Sequence, residues 1–187
     1  STNFSFIDIP NLTGGTGDDN FTLTGTGNIT GTITGGGPGT DTVTGDNEVN
    51  AWSITGAGIG TLTDSAGANA FTGIENLTGG TNDDTFTFTA GGSLTGAIDG
   101  AADATDDRIN IAAKVGANTI DLQLGTVSGG FLGTFANVEA FTGDNLADIL
   151  VGTNALTTWT INGVNDGTLS TNFSFIDIPN LTGGTGD

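Results

Sequence analysis

Short stretches of strict apolar–polar alternation recur along this chain, and helical periodicity does not. Phe21-Thr-Leu23, Phe86-Thr-Phe88, Ile109-Asn-Ile111, Ile120-Asp-Leu122-Gln-Leu124 and Trp159-Thr-Ile161 all space their apolar side chains by two. That period puts them on one face of a half-buried strand. Ile111-Ala-Ala-Lys114 offers at most a single helical turn. Clusters of Gly, Asn and Asp separate the strands, as sharp reversals of direction require.

The pattern repeats on two scales. Residues 1–18 recur letter for letter as 170–187. Within the unit that this duplication defines, the segment from Phe6 through Asn11-Leu12-Thr13-Gly14-Gly15 to Phe21 matches the segment from Phe71 through Asn76-Leu77-Thr78-Gly79-Gly80 to Phe86. A weaker copy starts at Phe135 and a fourth begins at Phe175, so two long steps are followed by a shorter one. Gly60-Thr-Leu62 returns as Gly125-Thr-Val127 and Gly167-Thr-Leu169, and Trp52-Ser-Ile-Thr-Gly as Trp159-Thr-Ile-Asn-Gly. Such self-similarity predicts an all-β chain wound as a parallel β-solenoid (β-helix), expected to be right-handed. Each coil takes about 21 residues, with about eight coils per unit. The steps between copies then read as three, three and two coils. Eight coils advance roughly 38 Å at the spacing of paired strands. Residues 1–169 then form one full tandem repeat, with sub-repeats near 6–70, 71–134 and 135–174. Residues 170–187 start the next repeat on the same solenoid. An antiparallel sandwich is the competing fold.

Composition narrows the function. Gly is abundant, at 34 residues, yet hydrophobic residues make up 35% and include 11 Phe and 2 Trp, enough spaced apolar material for a core. The net charge is −19, with Arg108 and Lys114 the two basic residues. Phosphate neutralisation therefore has no basis, which excludes nucleic acid as a partner. Anionic membrane surfaces are disfavoured, and no apolar run is long enough for insertion as a helix. Acidity favours oxygen-seeking cations such as Ca²⁺, or simply solubility. Cys, His and Met are absent, so disulfide and thiolate chemistry are excluded. The whole composition suits an extracellular or cell-surface location.

Gly14-Gly-Thr-Gly-Asp-Asp19-Asn-Phe21-Thr and Gly36-Gly-Pro-Gly-Thr-Asp41-Thr-Val43-Thr fit the nonapeptide G-G-x-G-x-D-x-U-x, with U apolar. Gly79 to Thr87 fits with Asn82 in place of one Gly, and Gly143 to Val151 is a degraded copy. These segments resemble the RTX calcium-binding repeats of secreted bacterial proteins. The wider pattern is similar to very large β-helical adhesins of bacterial surfaces. The resemblance implies Ca²⁺ held between neighbouring turns by aspartates and loop carbonyls. Asp19 and Asp41 stand one coil apart, as do Asp84 and Asp106, so each pair is expected on the same edge of adjacent coils. These four are the candidate Ca²⁺ ligands. The alternative is that each Asp closes its own turn through the backbone. Glu75 and Glu139 fall where Pro10 and Pro179 stand in other copies and read as solvated turn residues.

Catalysis is not expected. Asp106-Asp107-Arg108 is the only acid–base cluster, and Arg108 and Lys114 are expected to pair with nearby aspartates. Repeated Thr-x-Thr pairs are similar to the faces of solenoid ice-binding proteins, but the full motif comes once in three coils. The leading expectation is a structural tandem-repeat segment of an extracellular bacterial fibre, stalk or surface layer. Its partners are adjacent identical repeats, with self-association into fibres as a further expectation. The alternative is a Ca²⁺-dependent, RTX-like adhesion module. Phe173, Phe175, Ile178 and Leu181 are expected to form the joint that covers the end of one unit.

Overall fold

The structure is a computed structural model and describes residues 7–102, 106–170 and 172–185. Phe6, where the first sub-repeat starts, lies outside the described residues, as do Thr171, Gly186 and Asp187. The described residues contain no helix and form twenty strands. The first ten are β1 (Leu12–Thr13), β2 (Asn20–Thr22), β3 (Thr32–Thr34), β4 (Thr42–Thr44), β5 (Ala51–Gly56), β6 (Ile59–Thr63), β7 (Ala68–Thr72), β8 (Asn76–Thr78), β9 (Thr85–Phe88) and β10 (Leu94–Asp99). The rest are β11 (Arg108–Asn110), β12 (Thr119–Asp121), β13 (Thr126–Val127), β14 (Leu132–Ala136), β15 (Ala140–Thr142), β16 (Ile149–Val151), β17 (Trp159–Ile161), β18 (Gly167–Leu169), β19 (Phe173–Ile176) and β20 (Asn180–Thr182).

Three sheets result. The large one has eleven strands in the order β1-β3-β7-β6-β5-β9-β11-β15-β19-β18-β17. A five-stranded sheet runs β14-β10-β8-β4-β2, and a four-stranded sheet runs β13-β12-β16-β20. The smaller sheets meet with β13 against β14. All three contribute to a single apolar cluster. Alternation explains this. In β3, Ile33 is buried between half-buried threonines, and Val43 in β4 and Ile109 in β11 follow the same rule.

Apolar ladders run across the rungs. Ile33 stands beside Phe71, Trp52 beside Phe86, and Phe86 beside Ile109. Ile109 is followed by Phe141, and Phe141 by Phe175. The fourfold sub-repeat also appears in the backbone. Asp8, Gly73, Asn137 and Asp177 hold equivalent positions in the four copies, and all four adopt positive φ, between 50° and 63°.

Equal parallel coils of about 21 residues, expected from the repeat arithmetic, hold only in part. Single-coil steps join β1 to β3, β2 to β4, β8 to β10 and β9 to β11, where Leu12 meets Ile33, Phe21 meets Val43, Leu77 meets Ile98 and Phe86 meets Ile109. Elsewhere the step stretches well beyond one coil, as from Ile33 to Phe71, Ile120 to Leu150 or Phe141 to Phe175. Every longer interval contains antiparallel pairing. β5, β6 and β7 form a meander, as do β17, β18 and β19, and β12 pairs antiparallel with β13. In each meander the first strand is laid three rungs ahead, and the next two return towards strands already in place.

Glycine makes the meander possible. A Cβ at Gly60 would meet the Ser53 carbonyl and the Phe71 ring inside 3.0 Å. The equivalent Gly167 faces the Thr160 carbonyl and the Phe175 ring in the same way. In both meanders Gly-Thr-Leu is thus the middle strand over which a phenylalanine ring lies.

Candidate functional site

The polar centre of the molecule is a set of buried Asp and Asn side chains at the turn corners. Asp41, Asn50, Asn69, Asp84, Asp107, Asn118 and Asp148 are all buried. Each precedes an inward apolar residue by two positions: Val43, Trp52, Phe71, Phe86, Ile109, Ile120 and Leu150. The period of a strand therefore turns the polar side chain inward together with the apolar one.

Across neighbouring rungs, carboxylate oxygens at these corners accept main-chain N–H groups from the rung beside them. The Asp19 amide donates to Asp41 Oδ1 at 2.8 Å, and the Asp41 amide to Glu75 Oε2 at 2.8 Å. The Asn50 amide donates to Asp84 Oδ1 and the Asp84 amide to Asp107 Oδ1, both at 2.7 Å. The Asp107 amide donates to Glu139 Oε2 at 3.1 Å, and the Asn118 amide to Asp148 Oδ1 at 3.0 Å. Hydrogen bonds to a carboxylate are short and about twice as strong as neutral ones. They satisfy backbone groups that leave the sheet ladder at each corner, where an unpaired buried N–H is costly.

The motif glycines follow from this chemistry. A Cβ at Gly79 would lie inside 3.0 Å of Asp84 Oδ2 and of the Gly100 carbonyl. Its copies Gly14 and Gly143 meet Asp19 and Asp148 likewise. The carboxylate occupies the volume a side chain would need. Asn82, standing where the motif has Gly, adopts a φ of 85°, a conformation Asn tolerates better than most residues.

The expected site residues are placed as follows. Asp19 and Asp41 come together, but through backbone: Asp41 accepts the Asp19 amide, and Asp19 Oδ2 accepts the Gly15 amide at 2.6 Å. Asp84 and Asp106 are not brought into register. Arg108 pairs with Thr85, which sets Asp107 rather than Asp106 beside Asp84, while the Asp106 amide reaches Asp83 Oδ1. Among the described residues, no group of three or more Asp, Glu, His or Cys is arranged to hold a metal ion.

Glu75 and Glu139 are not solvated turn residues. Both are half-buried, and each makes a reciprocal clamp. The Glu75 carboxylate accepts the Asp41 amide while its own amide donates to the Asp41 carbonyl, and Glu139 and Asp107 do the same. Their partners lie 34 and 32 residues back, beyond any local pattern. The only signal was the buried slot itself, Asp or Asn two before an apolar residue.

The cations also differ from expectation. Lys114 Nζ donates to the carbonyls of Ala90 and Gly92 and lies 4.8 Å from the Phe131 ring centroid, rather than pairing with an aspartate. Burial lowers its ammonium below the usual lysine range. Arg108 reaches Thr142 Oγ1 at 3.0 Å. At Asp144, burial raises the carboxyl, but hydrogen bonds from the Gly116, Leu146 and Ala147 amides and with the Asp148 side chain together outweigh it and hold the group below its usual range.

Of the joint residues, Phe173, Phe175 and Ile178 are buried, and Leu181 is exposed at the sheet edge. Phe173 stacks on Phe141 with centroids 6.1 Å apart, Phe175 pairs with Phe141 in register, and Leu181 pairs with Leu150. Compared with protein-family models, curated proteins and solved structures, the chain matches none.

Proposed function

We propose that the chain is a structural segment of a tandemly repeated β-solenoid fibre, outside a bacterial cell, which extends by strand pairing from unit to unit and has no catalytic role. The observation that carries this reading is the seat of the duplicated segment. β20 repeats the sequence of β1, and it continues the β12–β16 ladder in parallel, with Leu150 beside Leu181. A second copy of the sequence thus begins on the last rungs of the first.

The buried carboxylates fit a mechanical role. They tie each corner to the next rung through the backbone, which resists separation of rungs without any ligand. That use also weakens the calcium-switched alternative, because Asp19, Asp41 and Asp84 each already commit a carboxylate oxygen to a main-chain amide. It weakens an enzymatic reading too, since Asp107 is buried in the ladder.

β20 repeats β1, so one period of the sequence runs from β1 to β19 and carries nineteen strands. Shared between two layers at about 4.8 Å per rung, they give about 46 Å of length per unit, longer than equal coils would give. The test is small-angle scattering on chains of one, two and three units. The maximum dimension rises by about 46 Å per added unit, as one rigid rod. Units that tumble independently would sink the reading. A melting curve shifted strongly by calcium or chelator would favour the adhesion-module alternative instead.

A further inference from the structure

Resting on the tandem-array reading, we infer that β17 of one unit docks in parallel onto β2 of the next copy, with Trp159 seated on Phe21. The two strands are the open ends of different sheets: β17 closes the large sheet and β2 closes the five-stranded one.

The molecule contains the precedent for this joint. The meander β17-β18-β19 repeats β5-β6-β7: Trp159 pairs with Leu169 as Trp52 does with Leu62, and Gly167 with Phe175 as Gly60 does with Phe71. β2 likewise repeats β9, since Phe21 pairs with Val43 as Phe86 does with Ile109. Inside the chain, β5 docks on β9 in parallel, with Trp52 beside Phe86 and Ile54 beside Phe88. The Trp52 and Phe86 rings stack at 5.6 Å.

At the two ends each half of that joint stands open. Ile54 is 0% exposed, but its counterpart Ile161 is 55% exposed. Trp52 and Phe86 are buried, whereas Trp159 and Phe21 are only half-buried. Beside Phe21 lies a groove of about 360 Å³ lined by Leu12, Phe21, Leu23, Gly27, Ile29 and Ile33. In the internal copy, the residues equivalent to Phe21 and Gly27 are Phe86 and Gly92. There Trp52 covers Phe86, and Ile54 approaches Gly92 so closely that a Cβ would lie 3.3 Å from Ile54 Cγ2.

The precedent fixes the register: Thr158 with Asn20, Trp159 with Phe21, Thr160 with Thr22, Ile161 with Leu23. It also supplies a carboxylate contact, because Asp19 stands where Asp84 accepts the Asn50 amide, and Thr157 stands where Asn50 donates it. The other layer is consistent. β1 lies in the large sheet, but its copy β20 lies in the four-stranded one. Each unit therefore hands its four-stranded sheet to the next unit's large sheet, and its large sheet to the next five-stranded sheet. Consecutive units exchange faces, as if by a half-turn about the axis.

The chain has no cysteine, so the register can be read by disulfide trapping. The test protein is the 187-residue chain preceded by a second copy of its residues 1–169, with Thr160→Cys in the first copy and Thr22→Cys in the second. Thr160 and Thr22 are exposed, so neither change disturbs the core. Oxidation closes an intramolecular disulfide at least tenfold faster than in a control pairing Thr160→Cys with Thr24→Cys. Acrylamide quenching of the first copy's Trp159, read with Phe in place of the other tryptophans, falls relative to the single chain. A rigid two-unit rod in which the matched pair closes no faster than the control overturns this joint and leaves the array standing. Two independently tumbling units overturn both.

Discussion

At the scale of the residue, the aspartate of each nonapeptide acts on the backbone around its corner. Asp84 is the clearest case, being buried and accepting the Asn50 amide of the neighbouring rung at 2.7 Å. Asp84→Ala leaves that N–H without its acceptor inside the core and lowers stability by about 1–3 kcal/mol. Asp84→Asn keeps an oxygen in place and loses less. Urea unfolding of the two variants measures the difference, and equal losses would show that charge rather than acceptance matters. The Gly-Gly and Asp elements of this site were legible in the sequence, because they recur at fixed spacing. The clamps by Glu75 and Glu139 were not. Their partners lie one long rung away, and an alternation with Pro at the same position pointed to solvent.

At the scale of the element, the period-two strands and their inward residues were readable from alternation alone, but their direction was not. A strand carries the same alternation whether its neighbour is parallel or antiparallel, so counting repeats in multiples of about 21 made every coil equal. The recurring Gly-Thr-Leu held the missing information: a glycine is required where a ring crosses the strand. Gly60→Ala would drive a Cβ into the Ser53 carbonyl and the Phe71 ring. Overpacking of this kind costs about 1–3 kcal/mol. Since β6 joins β7 to β5 in the middle of the large sheet, thermal melting of the whole molecule should shift with it. Gly130→Ala is not a fair control, as Gly130 has a φ of 69°, but Gly17→Ala is, because nothing lies within 4 Å of its Cβ position. A Gly60 variant that melts with the Gly17 variant would contradict the close approach.

At the scale of the whole molecule, the duplicated segment is both an addition and a cover. β19 pairs with β15 and with β18, and β20 pairs with β16. Removing residues 170–187 therefore opens the β15 and β16 edges together, uncovers Phe141 from Phe173, and takes away one of the two strands that hold β18. Open edges recruit other chains. The sequence best able to fill this one is residues 1–18 of another molecule, since it is the removed segment letter for letter. Deletion is thus expected to lower the melting temperature and to produce concentration-dependent association that added 170–187 peptide suppresses. Within the intact chain, Phe175→Ala removes a buried ring and costs about 3–5 kcal/mol. Leu181→Ala, at an exposed edge in a single unit, costs far less there. In a two-unit chain the same leucine becomes interior and its truncation approaches the cost of Leu77→Ala, its buried counterpart. Context dependence of one side chain, measured by unfolding the single and double chains side by side, separates a fibre that continues through the joint from units that merely follow one another.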